Sequence, residues 1–275
     1  LAENPGDKYE NNNGPENAKD FPKNGVTANF GTTNDVDSYY FTAPQSAVYG
    51  VKFSRTTLTS ALKAKYPKEL LAPFYGYIEI SEDVNNNRKL DEQDMDRTSY
   101  ILNMTEDGTT TGSFEAKKGK SYFVTTYASI DSMAGLTLWP YQLKINAVNK
   151  VDEDAKSKIT KNKPSKPLKL KKNSSKSYSA TGYFNAGYEN GDSDWYVYKS
   201  TKTNQVTLSL DAGKEIDGVI EVYRNGKRVA KSDIYEQGDK EILNLKMKKG
   251  TYYVKVRDSK GRASIDSYKL SLKLK

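Results

Sequence analysis

Residues Asp83 to Asp94 read DVNNNRKLDEQD. Oxygen-bearing side chains stand at steps 1, 3, 5, 9 and 12 of this stretch: Asp83, Asn85, Asn87, Asp91 and Asp94. That is the ligand rhythm of a loop that wraps calcium, a hard cation that takes about six to eight oxygens. Lys89 at step 7 would give only its backbone carbonyl, and Leu90 at step 8 can pack inward. Three carboxylates and two amides, with no nitrogen or sulfur donor among them, suit calcium over a transition metal. Two features weaken the match. Arg88 occupies step 6, where the backbone turns left-handed at a cost of about 1 kcal/mol for a side chain other than glycine. Asp94 is shorter than the glutamate that closes such loops bidentately. The alternative is a polar hairpin tip, because the preceding YGYIEIS reads as a strand and not as a helix.

A second constellation lies near the start. Glu10, Asn12 and Asn13 cluster in YENNNG, and Asn34, Asp35 and Asp37 precede the strand-like YYF. If the first segment crosses the beginning of that strand, the two groups can share an ion. The competing reading is ordinary turn capping by Asn and Asp.

Other chemistry is excluded by residue type. The chain has no histidine and no cysteine, which removes Ser-His-Asp and Cys-His catalysis, thiolate zinc sites and disulfides. An enzyme built from this chain alone would need paired carboxylates, as in a glycosidase. Glu79 and Glu82 flank the Asp83–Asp94 loop, but acids there are more simply explained by an ion, so no catalytic residue is assigned. No run of about 18 apolar residues marks a membrane span. No nucleic-acid-binding signature is present.

The elements that must position these residues are strands. DSYYFTA, AVYGVKFS, YGYIEIS, KSYFVTTYAS and PYQLKIN follow one another in the first half; DWYVYKS, QVTLSLDA, GVIEVYR, EILNLKM, TYYVKVRD and SYKLSLK fill the second. Several alternate apolar and polar residues, as half-buried strands do. Asn225-Gly226 between two such runs signals a tight hairpin. The halves also repeat each other in order: 35–42 matches 192–199, 117–129 matches 248–259, and 140–146 matches 267–273. The offset shrinks from 157 to 131 residues, so the first copy holds about 26 extra residues between these matches, including a short helix expected within 58–66 and the Asp83–Asp94 loop. The expected organisation is all-β: a sandwich over 1–150, a Lys/Pro-rich linker over 151–165, and a second sandwich over 166–275.

Charge is uneven along the chain. Residues 151–275 hold 27 basic against 16 acidic side chains, a net of +11, whereas residues 1–150 net −3. The basic half either forms a solvated lysine-rich surface or meets an anionic polymer such as cell wall.

These motifs resemble the bacterial pre-peptidase C-terminal domain, the group that includes the collagen-binding domains of clostridial collagenases. The resemblance is carried by Glu10-Asn11-Asn12-Asn13 with Ala18, by Asp35-Val36-Asp37-Ser38-Tyr39-Tyr40-Phe41, and by Gly119-Lys120-Ser121-Tyr122-Phe123-Val124 with Tyr141-Gln142-Leu143. It covers nearly all of 5–148, and in the second copy it runs from about Lys166 to the end. It implies two tandem jelly-roll-like antiparallel sandwiches, appended to a catalytic protease domain in a secreted bacterial protein; the absence of cysteine agrees with export from a Gram-positive bacterium, and the opening LAENPGDKYENNNGPENAKD reads as a piece of something longer. It also implies calcium held by Glu10, Asn12, Asn13, Asn34 and Asp37, with Asp35 adjacent. Lys8 stands where collagenase-type members have a further acid, and Asn13 replaces an aspartate, so weaker binding is expected. The second copy lacks the Glu-x-Asn opening, which leaves calcium binding there open. Exposed aromatics on one sheet face contact collagen in the family; Tyr39, Tyr122, Tyr127 and Tyr141 are candidates by strand position. The expected function is a non-catalytic, calcium-stabilised accessory region that attaches to an extracellular protein substrate or matrix or supports the catalytic domain. The alternative is a cell-wall or surface adhesion module using its basic half.

Overall fold

The computed structural model describes residues 7–95, 100–103, 108–130, 133, 135–148, 152–187 and 191–275. The chain divides into two units, Leu1–Asn146 and Ala147–Lys275.

Unit 1 contains β1 (Lys19–Asp20), β2 (Val26–Phe30), β3 (Val36–Thr42), β4 (Ala47–Arg55), β5 (Phe74–Asp83), β6 (Tyr100–Asn103), β7 (Thr109–Ala116), β8 (Ser121–Ile130) and β9 (Thr137–Val148). They form two sheets, ordered β1-β3-β8-β5-β6 and β2-β9-β4-β7. β1 joins β3 in parallel, while β3–β8, β5–β8, β2–β9 and β4–β7 are antiparallel. The period-two pattern is visible in β7, where Thr110, Gly112, Phe114 and Ala116 are buried and the residues alternating with them are half-exposed. Aromatic rings knit the sheets together: Phe30 meets Phe74 at 5.2 Å and Phe41 meets Tyr49 at 5.0 Å between centroids. Gly76 permits the close approach of β5 to β4, since a Cβ there would lie 2.5 Å from the Phe53 ring.

Unit 2 contains β10 (Ile159–Thr160), β11 (Lys163–Pro164), β12 (Leu168–Lys169), β13 (Lys171–Ser174), β14 (Ser177–Gly182), β15 (Ser193–Ser200), β16 (Asn204–Asp211), β17 (Gly218–Arg224), β18 (Lys227–Ser232), β19 (Glu241–Met247), β20 (Gly250–Asp258) and β21 (Tyr268–Leu274). Its sheets run β12-β15-β20-β17-β18 and β13-β14-β21-β16-β19. Apart from the edge strand β13, this is the unit 1 order strand for strand. One core joins both sheets: Val222, Val254 and Val256 from one and Leu208, Leu270 and Leu272 from the other are fully buried. Asn225 (φ 51°) and Gly226 (φ 77°) are both left-handed, as a two-residue hairpin turn requires.

The segment expected as a linker is folded. β10 and β11 pair with each other, and the Asn162 amide donates to the Gly226 carbonyl at 3.0 Å. From Asp152 onward these residues belong to unit 2; residues 149–151 lie outside the described set.

The extra length of unit 1 carries α1 (Ser60–Lys65), capped by Thr59 accepting from the Leu62 amide at 3.2 Å, and the one-turn α2 (Glu92–Met95). Among the described residues no helix is long and apolar enough to cross a membrane.

Candidate metal centres

The Asp83–Asp94 loop leaves the end of β5 and exits through α2, so it is not free of helix as its sequence suggests. Its backbone folds round the buried Asp83 and Asp94 carboxylates. Asp83 accepts from the amides of Asn87 (3.1 Å) and Arg88 (2.9 Å) and from the Tyr40 hydroxyl (2.5 Å). Asp94 accepts from the amides of Val84 (2.8 Å) and Asp91 (3.0 Å). Asp91 accepts from both the Asn85 and Asn87 side-chain amides, at 3.0 and 3.1 Å, and these bonds hold its carboxyl below the usual carboxylate range. The Lys89 amide donates to Asn87 Oδ1 at 2.7 Å, while the Lys89 side chain is exposed. The predicted ligand types therefore converge, but each of these carboxylate oxygens already has a protein donor. Spare lone pairs remain for an ion; the fold of the loop does not depend on one.

Arg88 adopts φ 59°, the left-handed conformation that step 6 demands. Its guanidinium sits 4.2 Å from the Tyr40 ring centroid and pairs with Asp20 at 2.8 Å. The side chain thus pins the loop to the outer face of β3. Arg88→Gly would relieve about 1 kcal/mol of backbone cost and forfeit a cation–π contact worth about 0.5–1 kcal/mol. The exposed ion pair adds little. The expected result is a melting temperature close to the parent's, within about 1 kcal/mol of stability; a loss well beyond that would show that Arg88 does more than clamp.

The second predicted constellation is the more demanding one. Carboxylate oxygens of Glu10, Asp35 and Asp37 lie within 4.8 Å of one another. Asp35 and Asp37 are buried at the start of β3, and the Asn12–Asn13 segment crosses them: the Ser38 amide donates to the Asn12 carbonyl at 2.7 Å. The Asn13 side-chain oxygen faces the Asp35 and Glu10 carboxylates; with the amide reversed, its nitrogen would donate to both at 3.2 Å. Asn13 and Asn34 are the exposed members of the six, Asn34 lying in the turn before the strand. Buried atoms here lack partners: Glu10 Oε1, Asp37 Oδ1 and both side-chain polar atoms of Asn12. Burial, together with the neighbouring acids, raises the Glu10 and Asp35 carboxyls above their ordinary range and pushes Asp37 up to about 8. Asp7, which sequence reasoning passed over, adds its charge to all three. Orphaned buried oxygens cost free energy unless something supplies positive charge. A calcium ion would do so.

Unit 2, for which the sequence left the question open, builds the same arrangement. Oxygens of Asp152, Asp154, Asp192 and Asp194 also lie within 4.8 Å of one another. Asp192 and Asp194 open β15 as Asp35 and Asp37 open β3. Asp152 and Asp154 come from the supposed linker, where Asp154 accepts from the Trp195 amide at 3.2 Å. Beside them Glu153 accepts from the Tyr183 amide and the Asn185 side chain, at 3.1 and 2.6 Å. Asp194 Oδ1 and Asn185 Oδ1 are buried without partners. Burial and mutual repulsion push Asp192 to about 6, Asp154 to about 7 and Asp194 to about 9. The signal was present in the sequence as two Asp-x-Asp pairs, 152/154 and 192/194, but the lysine-rich run that follows Asp154 hid the first.

Each cluster is locked to its core by one hydrogen-bonded tyrosine pair. Tyr141 donates to Asp37 Oδ2 at 2.7 Å and meets the Tyr39 hydroxyl at 2.7 Å; Tyr268 donates to Asp194 Oδ2 and meets the Tyr196 hydroxyl at 2.6 Å. Of the four tyrosines expected at an attachment face, Tyr39, Tyr122 and Tyr141 are therefore core residues. Their strands place them on the inner face, a choice that alternation leaves open. Tyr127 is on the outer face. It stacks on Tyr77 at 4.6 Å and bonds Glu79 at 3.0 Å, with the exposed Tyr75 alongside on β5.

No family model matches the chain, and no curated protein does. Among solved structures, the chain is similar to the pre-peptidase C-terminal domain of collagenase from Bacillus anthracis, with 16% identity and a TM-score of 0.30 over 39% of this chain and 92% of that one. It is also similar to PliG from Aeromonas hydrophila, a periplasmic inhibitor of g-type lysozyme, with 15% identity and a TM-score of 0.26 over 36% of this chain and 87% of that one. Tripeptidyl peptidase 2 matches 90% of this chain but 22% of its own length, with 10% identity and a TM-score of 0.26.

Proposed function

We propose that this chain is a non-catalytic, calcium-stabilised attachment module of an exported protein, with one ion in the buried cluster of each unit. The observation that carries the reading is the pair of orphaned buried aspartate oxygens, Asp37 Oδ1 and Asp194 Oδ1, each facing further carboxylates. The donors are all oxygen, so calcium fits and thiolate- or imidazole-seeking metals do not. The Asp83–Asp94 loop is a third and weaker site, filled at the calcium levels of extracellular fluid. Attachment to a protein matrix such as collagen would use the face of unit 1 that carries the exposed Tyr75 and Tyr77 and the half-buried Tyr127.

Cosedimentation with insoluble collagen tests the attachment. Binding in calcium is expected, with a loss of about tenfold in Tyr77→Ala; tenfold is about 1.4 kcal/mol, the scale of truncating an aromatic that matters at an interface. Absence of binding by the parent protein would remove collagen as the partner, and binding unaffected by Tyr77→Ala would move the contact off this face.

A further inference from the structure

The outer face of the β13-β14-β21-β16-β19 sheet in unit 2 is built mostly from lysines and small polar side chains, the exceptions being the exposed Ile242 opposite Ser209 and Asp211 beside Lys269. Its inner-facing positions, Leu208, Leu210, Leu270 and Leu272, go to the core. The register sets the alternate positions side by side: Ser177 beside Lys273, Ser179 beside Ser271 and Thr181 beside Lys269 on one flank of β21, then Thr207 beside Lys273 and Ser209 beside Ser271 on the other. β19 continues the rows with Asn244 opposite Thr207 and Lys246 opposite Gln205. On the far edge, Asn173 reaches Ser179 at 2.8 Å, and Lys171 is exposed. Lys246, Lys269, Lys273 and the terminal Lys275 are exposed as well. The one acid in these rows, Asp211, is already paired with Lys240 at 3.1 Å.

We propose that this face binds an extended polyanion of phosphodiester repeats. The argument is one of charge and shape. Lysines here are spread and not clustered: about 13 Å separates Lys269 from Lys273 and about 7 Å separates Lys273 from Lys275 at strand spacing. Such an array matches charges repeated along a chain better than a single compact anion. Every arginine of unit 2 lies outside these five strands, so the face has no planar fork for bidentate carboxylate capture; lysine binds phosphate as a point charge. Serine, threonine and asparagine side chains between the lysines supply donors for phosphate and sugar oxygens. Aromatics are missing from the outward rows, because Tyr178 turns inward against Tyr198, so a nucleic acid would find nothing to stack its bases on. The proposal sharpens the reading of the basic half as a polymer contact, and it is independent of the calcium sites.

Binding of the full chain to immobilised poly(glycerol phosphate) tests it, with polyglutamate, heparin and single-stranded DNA as competitors. Lys269→Glu/Lys273→Glu is expected to weaken binding at least tenfold. The same charge change on the opposite sheet, Lys199→Glu/Lys227→Glu, is expected to weaken it less than about twofold, because screening limits distant charges to roughly 10 Å at 0.1 M salt. Lys269→Gln/Lys273→Gln serves as a second pair should the glutamates impair folding, with several-fold weakening expected. Failure of the parent to bind, equal losses in the two glutamate pairs, or tighter capture of any competitor would each overturn the proposal.

Discussion

Replacing Asp194 by asparagine is expected to move the stability of unit 2 in opposite directions with and without calcium. In calcium the variant loses a ligand. An ion present at about a hundred times its dissociation constant stabilises by about 2.7 kcal/mol, so the unit 2 transition should fall by roughly 10 °C. In chelator the sign reverses. Asp194 is then a buried acid facing Asp152, Asp154 and Asp192, with Oδ1 unpartnered. Burial pushes its carboxyl up to about 9, so at neutral pH folding must bind a proton that the unfolded chain releases; asparagine removes that cost while still offering an acceptor to Tyr268, so stability should rise by on the order of 1 kcal/mol. A purely structural aspartate would destabilise in both conditions, and that outcome would sink the metal reading of this cluster. Differential scanning calorimetry in the two buffers reads both signs.

The second large effect comes from the layer beneath the Asp83–Asp94 loop. Phe123 on β8 is buried and stands directly opposite Tyr40 in the register, their rings 5.3 Å apart. Tyr40 in turn holds Asp83 through its hydroxyl and Arg88 through its ring. Phe123→Ala removes the ring and leaves a cavity, a change that costs about 3–5 kcal/mol. The unit 1 transition should drop by roughly 10 °C or more while that of unit 2 stays in place. A cost below about 1 kcal/mol would mean that Tyr40 does not rest on this ring and that the loop is positioned some other way.

The strands were legible because alternation and turn chemistry are local. Asn225-Gly226 takes the left-handed angles that its residue types favour, and the repeat of 35–42 in 192–199 reappears as β3 and β15. Long-range facts were less legible. Alternation says that Tyr39 and Tyr40 point to opposite faces, but not which face is the core; the bonds to Tyr141 and Asp83 decide that. Arg88 looks like an error when step 6 is judged alone, and its reason lies on Tyr40 and Asp20, far away in sequence. Asp152 and Asp154 were assigned to a linker because lysines dominate the stretch beyond them. Only the fold brings them to Asp192 and Asp194.

The most direct test is to count tightly bound calcium ions by equilibrium dialysis at low free calcium, about 0.01 mM, where a weak surface loop stays empty. The account predicts two ions per chain, one in Asp37→Asn, one in Asp194→Asn, and none when both are replaced. No tight ion in the parent, or a count that neither substitution lowers, would contradict it.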